Sequence, residues 1–129
     1  MAANTSLLVV FHGSRAQGAR REAKRFCERL ARNGEWERVA VAWVQIGEPT
    51  VAQALEDLAA AGAKRIVVAP MLVLPGRHLD ADVPRLIEAF RAKWPGCFVA
   101  LAPSLTRIKG FAELIGETCR RAADMGSAE

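Results

Sequence analysis

Leu7-Leu8-Val9-Val10-Phe11-His12-Gly13-Ser14-Arg15 is the stretch that decides the fold. Its first five residues are all apolar, without the alternation of a strand that has one wet face. The run is too short for a helix and carries β-branched residues, so it predicts a strand buried on both sides. Such strands belong to parallel sheets covered by helices above and below. Just beyond it, Ala19, Ala23, Phe26, Cys27 and Leu30 recur at helical spacing. Asn33-Gly34 closes that helix.

Working outward, residues 39–44 form a second apolar run and a second strand. Pro49 opens a helix from its first turn, where a missing N–H costs nothing. The inward stripe of that helix is Val51, Leu55, Leu58 and Ala59, and Gly62 ends it. Residues 66–69 make a third strand, and the apolar run continues to Leu74 before Pro75-Gly76 breaks it. A third helix starts near Asp80 or Asp82, both suitable caps, and faces inward through Val83, Leu86, Ile87, Phe90 and Trp94. A fourth strand spans 97–101. A last helix spans about 106–123, with Ile108, Phe111, Ala112, Ile115 and Cys119 inward. Residues 124–129 read as a flexible tail, which leaves one α/β domain over 1–123. Alternating strands and helices with right-handed crossovers predict a four-stranded parallel sheet of order 2-1-3-4, with helices on both faces.

The 129 residues suit one domain. Half of them are hydrophobic and a quarter charged, which excludes disorder for the bulk of the chain. No apolar run approaches the ~20 residues of a membrane span, and the amino terminus has no signal-peptide pattern, so the expected setting is the cytoplasm. The net charge of +4 suits an anionic ligand but is too small and dispersed to argue for nucleic acid. Cys27, Cys97 and Cys119 are odd in number and contain no Cys-x-x-Cys pair. They form neither a disulfide framework nor a zinc site and read as buried thiols.

Open parallel sheets bind ligands past the carboxyl ends of their strands, where the strand order reverses. Here that crevice lies between strands one and three. Both histidines of the chain, His12 and His78, fall at this edge. Imidazole binds divalent transition metals when neutral and accepts a proton near neutrality. Arg15, Arg77, Arg107 and Lys109 lie at the same edge. Together they suit a ligand with several carboxylates, which Arg grips as a fork. Phosphate loops of the G-x-G-x-x-G or G-x-x-x-x-G-K-S/T kind are absent, as is a Gly-x-Ser-x-Gly elbow.

His12-Gly13-Ser14-Arg15, Glu48-Pro49-Thr50, Val67-Val68-Ala69-Pro70-Met71-Leu72, Gly76-Arg77-His78 and Asp82-Val83-Pro84 occur in this order and spacing. In that combination the chain resembles the short-form sirohydrochlorin chelatases, from about Leu7 to Pro103. These are relatives of the ferrochelatases and insert Co²⁺ or Fe²⁺ into a cobalamin or sirohaem precursor. The resemblance implies a chelatase-like lobe that pairs as a homodimer, with a tetrapyrrole as substrate. It implies no tightly bound cofactor, the divalent metal (Co²⁺, Fe²⁺ or Ni²⁺) being itself a substrate. His12 and His78 match the two family histidines that bind metal and assist deprotonation. Many relatives carry Phe-Leu-Glu-Leu-x-Glu-Pro after strand two. This chain has Trp43-Val44-Gln45-Ile46-Gly47-Glu48-Pro49, so Gln45 stands where a ligating carboxylate is expected. Glu48 reads instead as capping the helix that Pro49 starts or favouring its positive end. Ser14, Arg15, Met71, Leu72, Leu74 and Arg77 are the expected substrate contacts, apolar walls with a cationic rim.

Two other readings stand beside this one. A chelatase-like lobe with Gln45 suits a protein that holds or delivers a tetrapyrrole or metal without accelerating insertion. An unrelated flavodoxin-like module would use its Arg face for an acidic partner. The apolar segment 71–75 fits a cleft wall, a buried strand or a dimer surface equally well.

Overall fold

The computed structural model describes residues 4–127, with the side chains of His78 and Ser127 outside the description. Four parallel strands, β1 (Ser6–Phe11), β2 (Val39–Trp43), β3 (Arg65–Pro70) and β4 (Phe98–Leu101), pair in the order β2-β1-β3-β4. This is the expected order. β1 is central, with Leu8, Val9 and Val10 fully buried, because it has a strand on each side and side chains packed above and below.

Period-2 alternation divides the two faces. Leu8 and Val10 join Ile66, Val68 and Val99 on one face. There α2 (Val51–Ala60) and α3 (Val83–Lys93) cover them with Val51, Leu55, Leu58, Val83, Ile87 and Phe90. Leu7 and Val9 face the other side, where α1 (Gln17–Asn33) lays Cys27, Phe26 and Leu30 over them. Glu56 of α2 ties the helices of the first face together. It accepts hydrogen bonds from Lys93 Nζ at 2.9 Å and Trp94 Nε1 at 3.0 Å, which hold its carboxyl below the usual carboxylate range.

Several expectations are corrected at element ends. Pro49 does not open α2. Thr50 is its N-cap and forms a capping box with Gln53, while Glu48 stands exposed outside the helix. Helical structure before α3 begins earlier than Asp80, as a π turn over His78–Asp82, and Asp82 has helical angles rather than those of an N-cap. Gly34 does close α1 as expected, in an extended conformation. Cys27 and Cys97 are buried as expected, and burial pushes both thiols up.

The largest correction concerns the last helix. Ser104 leads into a 3-10 turn, Leu105–Arg107, and Gly110 then takes a φ of +91°. α4 (Phe111–Ser127) starts only after this break. It leaves the sheet instead of packing on it, and its substantial contacts are with the 3-10 turn alone. Ile108, Ala112, Ile115 and Cys119 are therefore exposed rather than inward, and Phe111 is only half-buried. The helix also runs through 124–127, and the rest of the expected tail, 128–129, lies outside the described residues. Among the described residues no helix is long and apolar enough to cross a membrane.

Leu55 is 1% exposed at the centre of the α2 face. Leu55→Ala should lower the unfolding free energy by about 2–5 kcal/mol through lost burial and a residual cavity. Urea unfolding measures this, and a smaller loss would mean that the helix closes over the gap.

Candidate functional site

The crevice predicted at the switch point is built by backbone pairing that outlasts the strands. Val44 N–H donates to Phe11 O at 2.9 Å and Gln45 N–H to His12 O at 3.0 Å, so the loops after β1 and β2 stay in register. On the other side, Met71 N–H donates to Val10 O at 2.7 Å. His12 is therefore fixed from both neighbouring strand ends at the mouth of the sheet, where its side chain is exposed.

Gly13 permits this approach. Its φ is +132°, and a Cβ placed there would lie 1.8 Å from the Gln45 carbonyl oxygen. No side chain fits, so glycine is required by both space and backbone angle. The outcome is a direct contact of 2.9 Å between His12 Nε2 and the Gln45 amide nitrogen. With that nitrogen toward the ring, the amide donates and Nε2 accepts, which places the neutral ring's proton on Nδ1. Turning the amide by 180° would instead offer its oxygen to an Nε2–H or to a cation.

Arg20, which the sequence reading did not single out, bolts the loops together. Its Nε donates to Ser14 O at 3.0 Å and its Nη2 to Ile46 O at 3.0 Å. The guanidinium also lies 5.2 Å from the Trp43 ring centre. Gly47 fits beneath it, since a Cβ there would meet Trp43 Cγ at 2.8 Å. An Arg in the first turn of α1, six residues after Ser14, is the only signal that the sequence carried for this role. Ser14 Oγ accepts from Ala16 N–H at 3.0 Å, so it shapes the loop as well as lining the site.

Two open hollows flank His12. One, of about 520 Å³, is lined by Phe11, Ser14, Phe26, Trp43, Met71 and Leu105 among others. The second, of about 450 Å³, is lined by Met71, Leu72, Leu74, Gly76, Arg77 and Leu79. His12 and Met71 belong to both. Of the expected substrate contacts, Ser14, Met71, Leu72, Leu74 and Arg77 thus gather around His12, while Arg15 is exposed outside both linings. Segment 71–74 is no strand. Leu72 O and Val73 O accept from Leu105 and Thr106 N–H at 3.0 and 3.1 Å, and Leu74 is left 67% exposed as a wall. Arg107 and Lys109 are exposed near the same turn. His78 opens the π turn between Arg77 and Leu79, and its side chain, expected to meet His12, lies outside the described residues. No cluster of three His, Cys, Asp or Glu occurs among the described residues.

Residues 6–122 match the family model CbiX. The sirohydrochlorin cobaltochelatase of Methanococcus maripaludis is 29% identical over 85 residues, 66% of this chain and 59% of that one. The chain therefore spans about three fifths of the length of that relative. The sirohydrochlorin chelatase SirB from Bacillus subtilis subspecies spizizenii, solved in complex with cobalt, superposes with a TM-score of 0.72 at 27% identity, covering 78% of this chain and 43% of its own. A cobalamin biosynthesis CbiX protein from Marinobacter aquaeolei superposes with a TM-score of 0.77 over 94% of this chain and 98% of its own. At 21% identity that likeness shows the fold.

Two substitutions test the construction of the site. Arg20→Met removes two charge-assisted hydrogen bonds and should destabilise the fold by about 1.5–3 kcal/mol. Gly13→Ala forces the loops apart and should cost about 1–3 kcal/mol in backbone strain. Urea unfolding reads both, and values within 0.5 kcal/mol of wild type, roughly the level of a neutral surface change, would refute the roles assigned.

Proposed function

The chain belongs to the CbiX family, and from that premise we propose that it is a sirohydrochlorin metal chelatase inserting Co²⁺ or Fe²⁺ into the macrocycle. The observation that carries this reading is the place of His12. One imidazole stands between two apolar hollows, held beside an amide, with Arg77 at the rim. A flat macrocycle ringed with carboxylates needs apolar walls and cationic edges, and Met71, Leu72, Leu74 and Arg77 supply them. Ser14 and the more distant Arg15 extend the polar margin.

Insertion requires two pyrrole protons to leave and a metal that is held loosely enough to transfer. Imidazole binds a divalent ion when unprotonated and is the side chain suited to taking up a proton near neutrality. We assign His12 and His78 as metal ligand and proton acceptor. Gln45 is a weaker neutral donor that reaches the cation through its amide oxygen. The metal is a substrate in this scheme, and Ni²⁺ suits the same ligands. A homodimer and a cytoplasmic setting belong to the same proposal.

The His12–Gln45 contact also favours a second reading. An amide cannot act as a base, and a lobe that lacks the carboxylate suits holding or delivering a tetrapyrrole rather than metallating it. Purified protein with sirohydrochlorin and Co²⁺ separates the two. Metallation faster than the protein-free control supports the chelatase. A spectral shift of bound macrocycle at the uncatalysed rate supports the carrier.

For the chelatase, His12→Ala and His78→Ala should each slow insertion by about 10²–10⁴-fold, the usual worth of a positioned acid or base. Wild-type rates in either variant would sink the assignment. Gln45→Glu should tighten Co²⁺ binding, read by titration of the cobalt absorption bands.

A further inference from the structure

We propose that the two hollows flanking His12 divide the substrates between them by charge. The hollow on the α1 side brings in the divalent cation, with Glu22 drawing it, and the hollow at residues 71–79 holds the macrocycle. This deepens the chelatase reading above and rests on it. Apart from His12, each hollow has one charged side chain in its lining among the described residues, and the two are opposite in sign. Glu22 stands in the first and Arg77 in the second. A ligand ringed with carboxylates is drawn to the guanidinium and repelled by the carboxylate. A divalent cation has the reverse preference. Both hollows share His12 and Met71, so what enters by one meets what rests in the other at the imidazole.

One face of α1 builds the first hollow. Ala19, Glu22, Ala23 and Phe26 recur at i, i+3, i+4 and i+7 and line it together. Ala19 and Ala23 are small enough to leave the space open. Phe26 meets Phe11 edge-on, with 6.4 Å between ring centres, and Phe11 meets Trp43 at 5.5 Å, so the walls are aromatic. Apolar walls of low dielectric focus the field of a single carboxylate toward the opening and raise the local concentration of counter-ions.

Glu22 is loosely held. Its side chain is 64% exposed, and its ion pairs are long, 4.0 Å to Arg25 and 3.7 Å to Arg29. Exposed pairs of that length contribute little, so they compete weakly with a divalent ion. Arg20 lies outside the lining and commits its guanidinium to the carbonyls of Ser14 and Ile46. Gln45 carries no charge, which leaves Glu22 as the one anionic side chain that either lining offers a cation among the described residues.

The test uses the full-length chain and Co²⁺ alone, with association followed by stopped-flow quenching of tryptophan fluorescence, since Trp43 stands in the lining. Glu22→Gln should slow association about three- to tenfold in low salt, the low end of what a charged cleft gives. Salt of about 0.5 M should abolish the difference. Glu28→Gln makes the same charge change on α1 outside the lining and should keep the wild-type rate. Sirohydrochlorin binding, read by its spectral shift, should follow the opposite rule. Arg77→Gln should weaken it about tenfold, the loss of one charge-assisted contact, and Glu22→Gln should not weaken it. All three side chains are exposed, so the fold is kept. Equal cobalt rates in wild type and Glu22→Gln, an equal slowing by Glu28→Gln, or no Co²⁺ binding by wild type overturns the division. So does macrocycle binding that weakens in Glu22→Gln. None of these readouts needs turnover. Metallation no faster than the protein-free control, with both binding rules kept, overturns the chelatase reading and leaves the division standing. Metallation by a protein whose cobalt rate ignores Glu22 does the converse.

Discussion

The burial of β1 on both faces is the constraint from which the rest follows. A strand with Leu8, Val9 and Val10 sealed from water needs a neighbour on each edge and helices above and below. That demand sets the place of β2 and β3 and puts the loop after β1 at the switch point. It also divides the cover unequally. α2 and α3 close one face, whereas α1 alone closes part of the other. Val67 and Ala69 of β3 still pack against the cluster that α1 covers, whereas Phe98 at the β4 edge is left 49% exposed.

The site inherits its rigidity from the sheet. Hydrogen bonds from Val44 and Gln45 to Phe11 O and His12 O carry parallel pairing past the strand ends, and Gly13 lets the backbones touch. Arg20 then joins the two loops through carbonyls rather than side chains, so their spacing does not depend on flexible contacts. A polar group that is exposed yet held at both neighbours combines access to solvent with a fixed position, which is what a transient metal contact requires.

Much of this was legible because it rests on local patterns. The apolar run of β1, the stripe Val51, Leu55, Leu58 and Ala59, and Gly62 ending α2 each record burial or backbone angle directly. The gathering of Ser14, Met71, Leu72, Leu74 and Arg77 around His12 followed from strand order alone. Other features depend on partners that are distant in sequence. Periodicity showed that α4 is amphipathic but not what its apolar face touches, so Cys119 and Ile115 were placed inward. Arg20 looks like any helix arginine until the loops it joins are seen. Thr50 outcompetes Pro49 as the start of α2 because its hydroxyl and Gln53 satisfy two orphan N–H groups at once, a pairing that Pro49 cannot make.

In the proposed chelatase, what Gln45 does to metal binding is a question of magnitude. A carboxylate ~4 Å from a divalent cation contributes about 2 kcal/mol in water-like surroundings and roughly four times that at an effective dielectric of 20. His12 and Gln45 are both exposed, so the lower figure applies. Exchanging that carboxylate for an amide weakens the cation's hold roughly thirtyfold, since each 1.4 kcal/mol is a factor of ten. This is a shift in affinity and not the loss of a site. A protein that must pass its ion to a macrocycle gains nothing from holding it tightly, because every kilocalorie spent stabilising the bound ion must be recovered at transfer. In a dry pocket the same exchange would be severe, but at an open sheet edge it would, in the proposed chelatase, only set the ion concentration at which such a site fills.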